Sequence, residues 1–339
     1  MINWIELLLF FLASFVGNFL MMKYGYQISL SKGNQTQDIH QGQISRLGGL
    51  ILIILFYIYA ILFQIIPLNF FFISLLVLIP ALLEDFGFSL KPLIRLSAIL
   101  MGCLILVINF NYLPPFDLSF LNIVFNNFYF QIIFYTLALA TVINGQNIID
   151  GTNGLSASAG LIIFICIGYL GLEISNPKII QIAIIMITLI ISFLLFNFPF
   201  GKIFLGDAGS YFIGLMSGYL IIEIFATNPQ LPTWSAVIIL FYPTLEVIFS
   251  YFRKIYSHQS PFLPDNKHLH LKIFYLLSNG EIKSSRLYNA LVAPFLSIIW
   301  LSPLAILPIS LVLPHLSIIF LVGLVLVYLF FYYSIPDPN

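Results

Sequence analysis

Apolar residues dominate the chain in runs of about 20, the length at which a helix crosses a hydrocarbon layer roughly 30 Å thick. Read this way, the pattern predicts helices near 2–22, 47–66, 69–83, 93–110, 128–143, 156–173, 179–196, 209–226, 234–252, 286–306 and 308–333, the third being the shortest. The first run has neither a basic flank nor a small-residue cleavage site, so it is expected to remain as a helix. The expected fold is therefore an all-α integral membrane protein: a polytopic bundle of about 10–11 transmembrane helices forming one domain over 1–339.

Composition narrows the class further. The chain is 60% hydrophobic, 17% aromatic and only 8% charged, which excludes ordinary soluble usage. Its net charge of zero conceals a sided distribution. With the N-terminus outside, Lys23, Lys32, Arg46, Lys91, Arg95, Lys202, Arg253, Lys254, Lys267, Lys272, Lys283 and Arg286 all fall on the cytoplasmic side, and only Lys178 falls outside. The outer loop around Leu113 to Asn127 has no basic residue, and nothing supports nucleic-acid binding. Cys103 and Cys166 sit in apolar runs and imply no disulfide or zinc site.

Four polar clusters interrupt the apolar pattern, and in this topology all open on the cytoplasmic side: Arg46 to Gly49, Glu84 to Arg95, "NGQNIIDGTNGLS" (144–156), and Gly201 to Ser210. A fifth, Ser260 to His270, lies in the longest and most basic loop on the same side. An unpaired amide or charge in lipid costs several kcal/mol, so each cluster must border water or bind something. Asn144, Asn147 and Asp150, spaced by three, can share a helix face, while Gly151 and Gly154 permit a turn. A helix end followed by an Asn/Gly turn is the plainer account of the same residues. In "GKIFLGDAGS", Asp207 reads either as an N-cap or as a hard-oxygen ligand. Mg²⁺ takes one or two protein oxygens beside water and phosphate, so Asp207 with Asn147 or Asp150 would suffice.

Adjacent Glu84 and Asp85, followed by Lys91 and Arg95, read as an interface loop or as an acid pair in which like charges create a general base. His268 and His270 are two apart and cannot form a helical zinc pair. Beside Lys267 and Lys272 they suit phosphate better.

These motifs resemble the polyprenyl-phosphate N-acetylhexosamine-1-phosphate transferases, glycosyltransferase family 4. "NGQNIIDGTNGLS" is similar to the family's N-x-x-N-x-x-D-G-x-x-G-L, "KIFLGDAGS" to its K-x-F-x-G-D-x-G-S, and "RLGG" to its early Gly-Gly motif. "SPFLPDNKHLH" looks like the branch acting on UDP-N-acetylglucosamine and related UDP-sugars, and unlike the branch taking UDP-MurNAc-pentapeptide. The resemblance implies that Asn147 and Asp207 hold Mg²⁺, with Mn²⁺ as the alternative ion, and that Asp85, Glu84 and Asp150 are the catalytic acids, Asp150 contacting the nucleotide sugar. It implies that Asn153 and the Gly154 backbone read the uracil, and that Asn144, Lys91, Arg95, Lys202, His268 and His270 bind phosphate or the sugar nucleotide. Its partners would be a UDP-sugar, a polyprenyl-phosphate lipid and bulk membrane lipids, with a homodimer left open, in the bacterial cytoplasmic membrane.

The chain departs from the family in Glu84, where an aspartate is usual, in Ser89, where an acid follows, and in Leu271, where a further histidine is common. Two rival readings stand beside the transferase: a secondary transporter, suggested by Glu223 and Glu246, and a noncatalytic assembly protein.

Overall fold

The computed structural model describes residues 3–28, 44–115, 127–260, 265–278 and 285–337. Lys32, Lys283, most of the outer loop with Asp117, and residues 261–264 of the histidine loop lie outside them, as does the side chain of Arg286. The regular secondary structure of the described residues is all helical, without strands, as the apolar pattern predicts.

The helices are α1 (Trp4–Tyr24), α2 (Gly48–Phe63), α3 (Leu68–Asp85), α4 (Pro92–Ile108), α5 (Phe128–Ile148), α6 (Leu155–Glu173), α7 (Pro177–Asn197) and α8 (Gly206–Thr227). They continue as α9 (Thr233–Ile239), α10 (Phe241–Tyr256), α11 (Leu269–Leu277), α12 (Ser285–Phe295), α13 (Ser297–Trp300), α14 (Ser302–Val312) and α15 (Leu316–Ser334). Seven are long and apolar enough to cross a membrane, or up to nine if each bent pair counts as one span; α2 and α4 are shorter apolar helices. Asn3, Asn127 and Asn176 cap α1, α5 and α7 through their side-chain oxygens, each contributing about 1 kcal/mol.

Helix α8 is the axis of the bundle. Some 94% of its most apolar window is buried, against 17% for α1, and it packs against α2, α3, α5 and α6. Gly49 and Gly209 make the α2–α8 approach possible, since a Cβ on Gly49 would stand 2.3 Å from the Gly209 Cα. A second core cluster joins α9–α13 and α15.

Two predicted spans are corrected. The run 234–252 is two helices meeting at 80° around Leu240. Pro243 lacks the N–H that would bond the Ile239 carbonyl, so the ladder is interrupted there. The run 286–306 bends by 42° between Leu287–Phe295 and Ser297–Val312. There Pro294 removes a donor, and the Trp300 indole N–H takes the Ala293 carbonyl (2.8 Å). The boundary before the last helix falls at 313–315 and not near 307.

Candidate functional site

The site begins with main chain. Phe204 N–H donates to Ser45 O (2.8 Å), Gly48 N–H to Phe204 O (3.0 Å) and Gly49 N–H to Leu205 O (2.9 Å), stitching the segment before α2 to the segment before α8. Gly206 closes the seam at φ +78°, where a Cβ would lie 2.2 Å from the Arg46 carbonyl oxygen. Only glycine tolerates both constraints.

Arg46 and Asp207 are thereby brought side by side. Arg46 Nη2 donates to Asp207 Oδ1 (3.0 Å), Arg95 Nη1 to Asp207 Oδ2 (2.8 Å), and Asn147 Nδ2 to Asp207 Oδ1 (3.2 Å) and Ser210 Oγ (3.0 Å). Four helix ends contribute: those of α2, α4, α5 and α8. Asp207 does not cap its own helix. Asp85, at the end of α3, accepts from Asp207 N–H (2.8 Å) and Ala208 N–H (2.9 Å), placing its charge at the positive end of α8. The Arg46 Nε lies 3.8 Å from Asp85 Oδ1.

Glu84 and Asp85, expected as a paired acid site, diverge. Glu84 Oε1 accepts from Leu90 N–H and lies 3.9 Å from Arg95 Nε, so the unusual longer side chain holds the loop between α3 and α4. Lys91 stands exposed at the start of α4, and Lys202 stands exposed over the Phe200 ring.

The turn from Asn147 to Gly154 spans this cluster and the histidines. Asn144 points back to its own helix, donating to Ala140 O (2.8 Å), so it does not share the Asn147 site. The helix ends at Ile148, before Asp150. Burial pushes the Asp150 carboxyl well above the usual range; Arg46 opposes the rise, and Asp207 and Asp85 add to it. Gln146 and Ser156 bond each other's backbone across the turn. Asn153 N–H donates to Asn289 Oδ1 and its side chain to Pro199 O, while Gly154 N–H donates to Asn197 Oδ1. In this structure both groups expected at a base are engaged within the protein. A Cβ on Gly151 would lie 2.5 Å from His270 Nε2, which shows how closely the turn meets the histidine loop.

His268 and His270 stack at 5.8 Å between centroids and 16° between planes. His268 Nδ1 meets Glu246 Oε1 (3.1 Å), which also accepts from Leu269 N–H (3.2 Å), and Tyr328 OH donates to Oε2 (2.9 Å). Burial pushes the His270 imidazole down to about 3, so it is neutral near pH 7. Asp265 is pushed up by burial but pulled down to about 2 overall by His268, the Lys267 N–H, Arg253 and Lys254. Asp337 bonds both Lys267 (2.8 Å) and Lys272 (3.0 Å), the lysines flanking the histidines.

No group of three or more His, Cys, Asp or Glu side chains suited to a metal occurs among the described residues. Mg²⁺ needs fewer, one or two protein oxygens with phosphate and water completing the shell. Asp207 supplies hard oxygens, Asn147 turns its Nδ2 toward them so that its amide would have to turn over to offer an oxygen to a shared ion, and the guanidinium groups beside them match phosphate oxygens. The donor chemistry fits Mg²⁺ or Mn²⁺.

Arg46 joins the site although the sequence marks it only as a basic residue beside the Gly pair of "RLGG". Asn197 was also missed. Its Oδ1 holds Gly154 and its Nδ2 the Ile203 carbonyl (2.8 Å), tying two motifs together, and an amide inside the apolar run before Pro199 was the available signal. Of the two acids behind the transport reading, Glu246 is taken up by the histidine loop. Glu223 lies 16 residues along α8 from Asp207, about 24 Å at 1.5 Å per residue.

Comparison with known proteins agrees with the motifs. The model of glycosyl transferase family 4 matches residues 67–225. The undecaprenyl-phosphate alpha-N-acetylglucosaminyl 1-phosphate transferase of Thermotoga maritima is 29% identical over 138 residues, 41% of each chain. The decaprenyl-phosphate N-acetylglucosaminephosphotransferase of Mycobacterium leprae is 32% identical over 168 residues, 42% of each. A Yersinia pestis protein bearing the same name as the Thermotoga one is 27% identical over 277 residues, 78% of this chain and 75% of its own. The first two alignments span about two-fifths of those relatives' length. With its helical membrane architecture and ordered motifs, the chain is similar to glycosyl transferase family 4 over residues 67–225.

Proposed function

We propose that the protein transfers N-acetylglucosamine 1-phosphate, or a related HexNAc 1-phosphate, from a UDP-sugar to a polyprenyl phosphate, releasing UMP. The observation carrying this reading is the gathering of Arg46, Asp85, Arg95, Asn147 and Asp207 at one end of a membrane bundle. The reading places that end on the cytoplasmic face of a bacterial inner membrane, where a lipid acceptor and a water-soluble nucleotide each arrive from their own phase. Such a step would begin a cell-envelope glycan of O-antigen, teichoic acid or capsule type.

In this reading an acceptor phosphate oxygen attacks the β-phosphorus of the donor. One P–O bond forms and the bond to the α-phosphate oxygen breaks, so UMP carries away the electron pair. A phosphate monoester has a second pKa of about 6, so at neutral pH the acceptor is already largely ionised. Catalysis then rests on alignment and charge. Arg46 and Arg95 would exchange part of their hold on Asp207 for the diphosphate, countering charge on departing UMP. Asp150, in the turn beside the cluster, would contact the sugar nucleotide. Asn147 and Asp207 would hold Mg²⁺, which when bound supplies neutralising charge to the diphosphate. Asp85 would keep the start of α8 in place.

Purified protein given polyprenyl phosphate, Mg²⁺ and a panel of UDP-sugars tests the reading. Lipid-linked product and UMP are expected with a UDP-HexNAc and lost on adding EDTA; no product with any donor rejects it.

A further inference from the structure

Glu246 is a carboxylate of α10 that the transfer reading does not use, and it is 1% exposed. It joins three elements. Its Oε1 receives His268 Nδ1 at 3.1 Å and Leu269 N–H at 3.2 Å, and its Oε2 receives the Tyr328 hydroxyl of α15 at 2.9 Å. A carboxylate only accepts, so the His268 Nδ1 facing it carries a proton, and whenever the ring is neutral the accepting nitrogen is then Nε2. Nε2 lies 4.0 Å from Asp265 Oδ1, beyond hydrogen-bond reach, and that carboxylate is already bonded by Arg253 (3.0 Å) and the Lys267 N–H (2.8 Å). The ring is therefore held in position from the Glu246 side, and among the described residues its Nε2 makes no hydrogen bond. The stacked His270, itself closed in by Gly151, restricts its remaining freedom.

We infer that Glu246, held by Tyr328, is a positioning residue that sets the tautomer and direction of His268 so that its Nε2 faces the sugar-nucleotide pocket. This rests on the transfer reading for what His268 meets, but not for the tautomer. Outer-shell carboxylates that orient a functional histidine commonly change activity by about 10- to 100-fold when removed. Glu246→Ala removes the acceptor for three donors, His268 Nδ1, Leu269 N–H and the Tyr328 hydroxyl. Glu246→Gln keeps an amide oxygen that Leu269 N–H and His268 can share, and Tyr328→Phe removes only the outer support.

Two measurements test it. In a double-mutant cycle on detergent-purified protein, Glu246→Ala is expected to lower UMP release about 10- to 100-fold, mostly in kcat. Glu246→Gln is expected to recover most of that loss, Tyr328→Phe to show an intermediate loss, and Glu246→Ala with His268→Ala to be no worse than His268→Ala alone. Independent losses that multiply, or a Glu246→Ala protein matching wild type, would overturn the assignment. The second readout needs no turnover. With ¹⁵N-labelled histidine, the wild-type resonance that disappears in His268→Gln should report the Nδ1–H tautomer, and that tautomer should persist in Glu246→Gln. An Nε2–H tautomer in wild type rejects the inference. Wild type that transfers nothing from any UDP-sugar rejects the transfer reading instead and leaves the tautomer result standing.

Discussion

The Asp207 cluster and the histidine loop solve one problem, keeping charge at a membrane boundary, in opposite ways. Around Asp207 one carboxylate is shared by two guanidinium groups, and Arg46 remains 37% exposed at its side chain. Around His268 each acid has its own buried or half-buried partners, and Glu246 and Lys272 are almost fully covered. The first arrangement can release its arginines to an incoming anion at little cost. The second would leave a buried charge unpaired if opened, which is expensive, so it behaves as a frame.

The sharpest way to break this comparison is at Asp207. Asp207→Ala is expected to cut UMP release by about 10²-fold or more while the protein stays inserted and monodisperse. Normal release by that variant would remove Asp207 from the chemistry. Asp85→Asn comes next, because an amide oxygen replaces only one of two acceptors at the start of α8. A loss of about 1–2 kcal/mol in a reversible denaturation assay is expected, with activity falling alongside. Undiminished stability would mean that the cap is dispensable.

In the frame, acid should matter sooner. His270 binds a proton less readily folded (about 3) than unfolded (6.5), so the unfolded state gains protons first and stability declines as pH falls from about 6.5 toward 3. Asp265, held near 2 against 3.8, contributes stability above pH 4 that is lost between about 4 and 2. A melting series across pH 7 to 4 should therefore flatten in His270→Gln, and an unchanged slope would assign the acid sensitivity elsewhere. The smallest expected effect is at Glu84. Glu84→Asp shortens the reach to Leu90 N–H, costing about 1 kcal/mol in stability, yet turnover is expected to be retained or raised. A collapse of activity would show that the extra methylene is required for catalysis.

The all-helical membrane class was legible because lipid imposes a run length that any sequence displays, while the expected 10–11 spans compare with seven, or up to nine counting bent pairs, among the described residues. The break at Leu240 was not, since a bent pair and a straight span have the same apolar pattern, and Pro243 within its first turn was the sole punctuation. Asn147 and Asp207 were visible as polar interruptions, and the structure places them in contact. The capping of α8 by Asp85 was invisible, because it joins positions 122 apart. Glu246 was misread as a transport acid for the same reason: its meaning depends on Tyr328 and His268, which no local spacing reveals.

The three main-chain bonds between 45–49 and 204–205 take no account of side-chain chemistry. Stripping charge from Arg46 or Asp207 should therefore silence the reaction without dismantling its platform. Such a silenced chain would separate what the platform needs to fold from what the reaction needs to run.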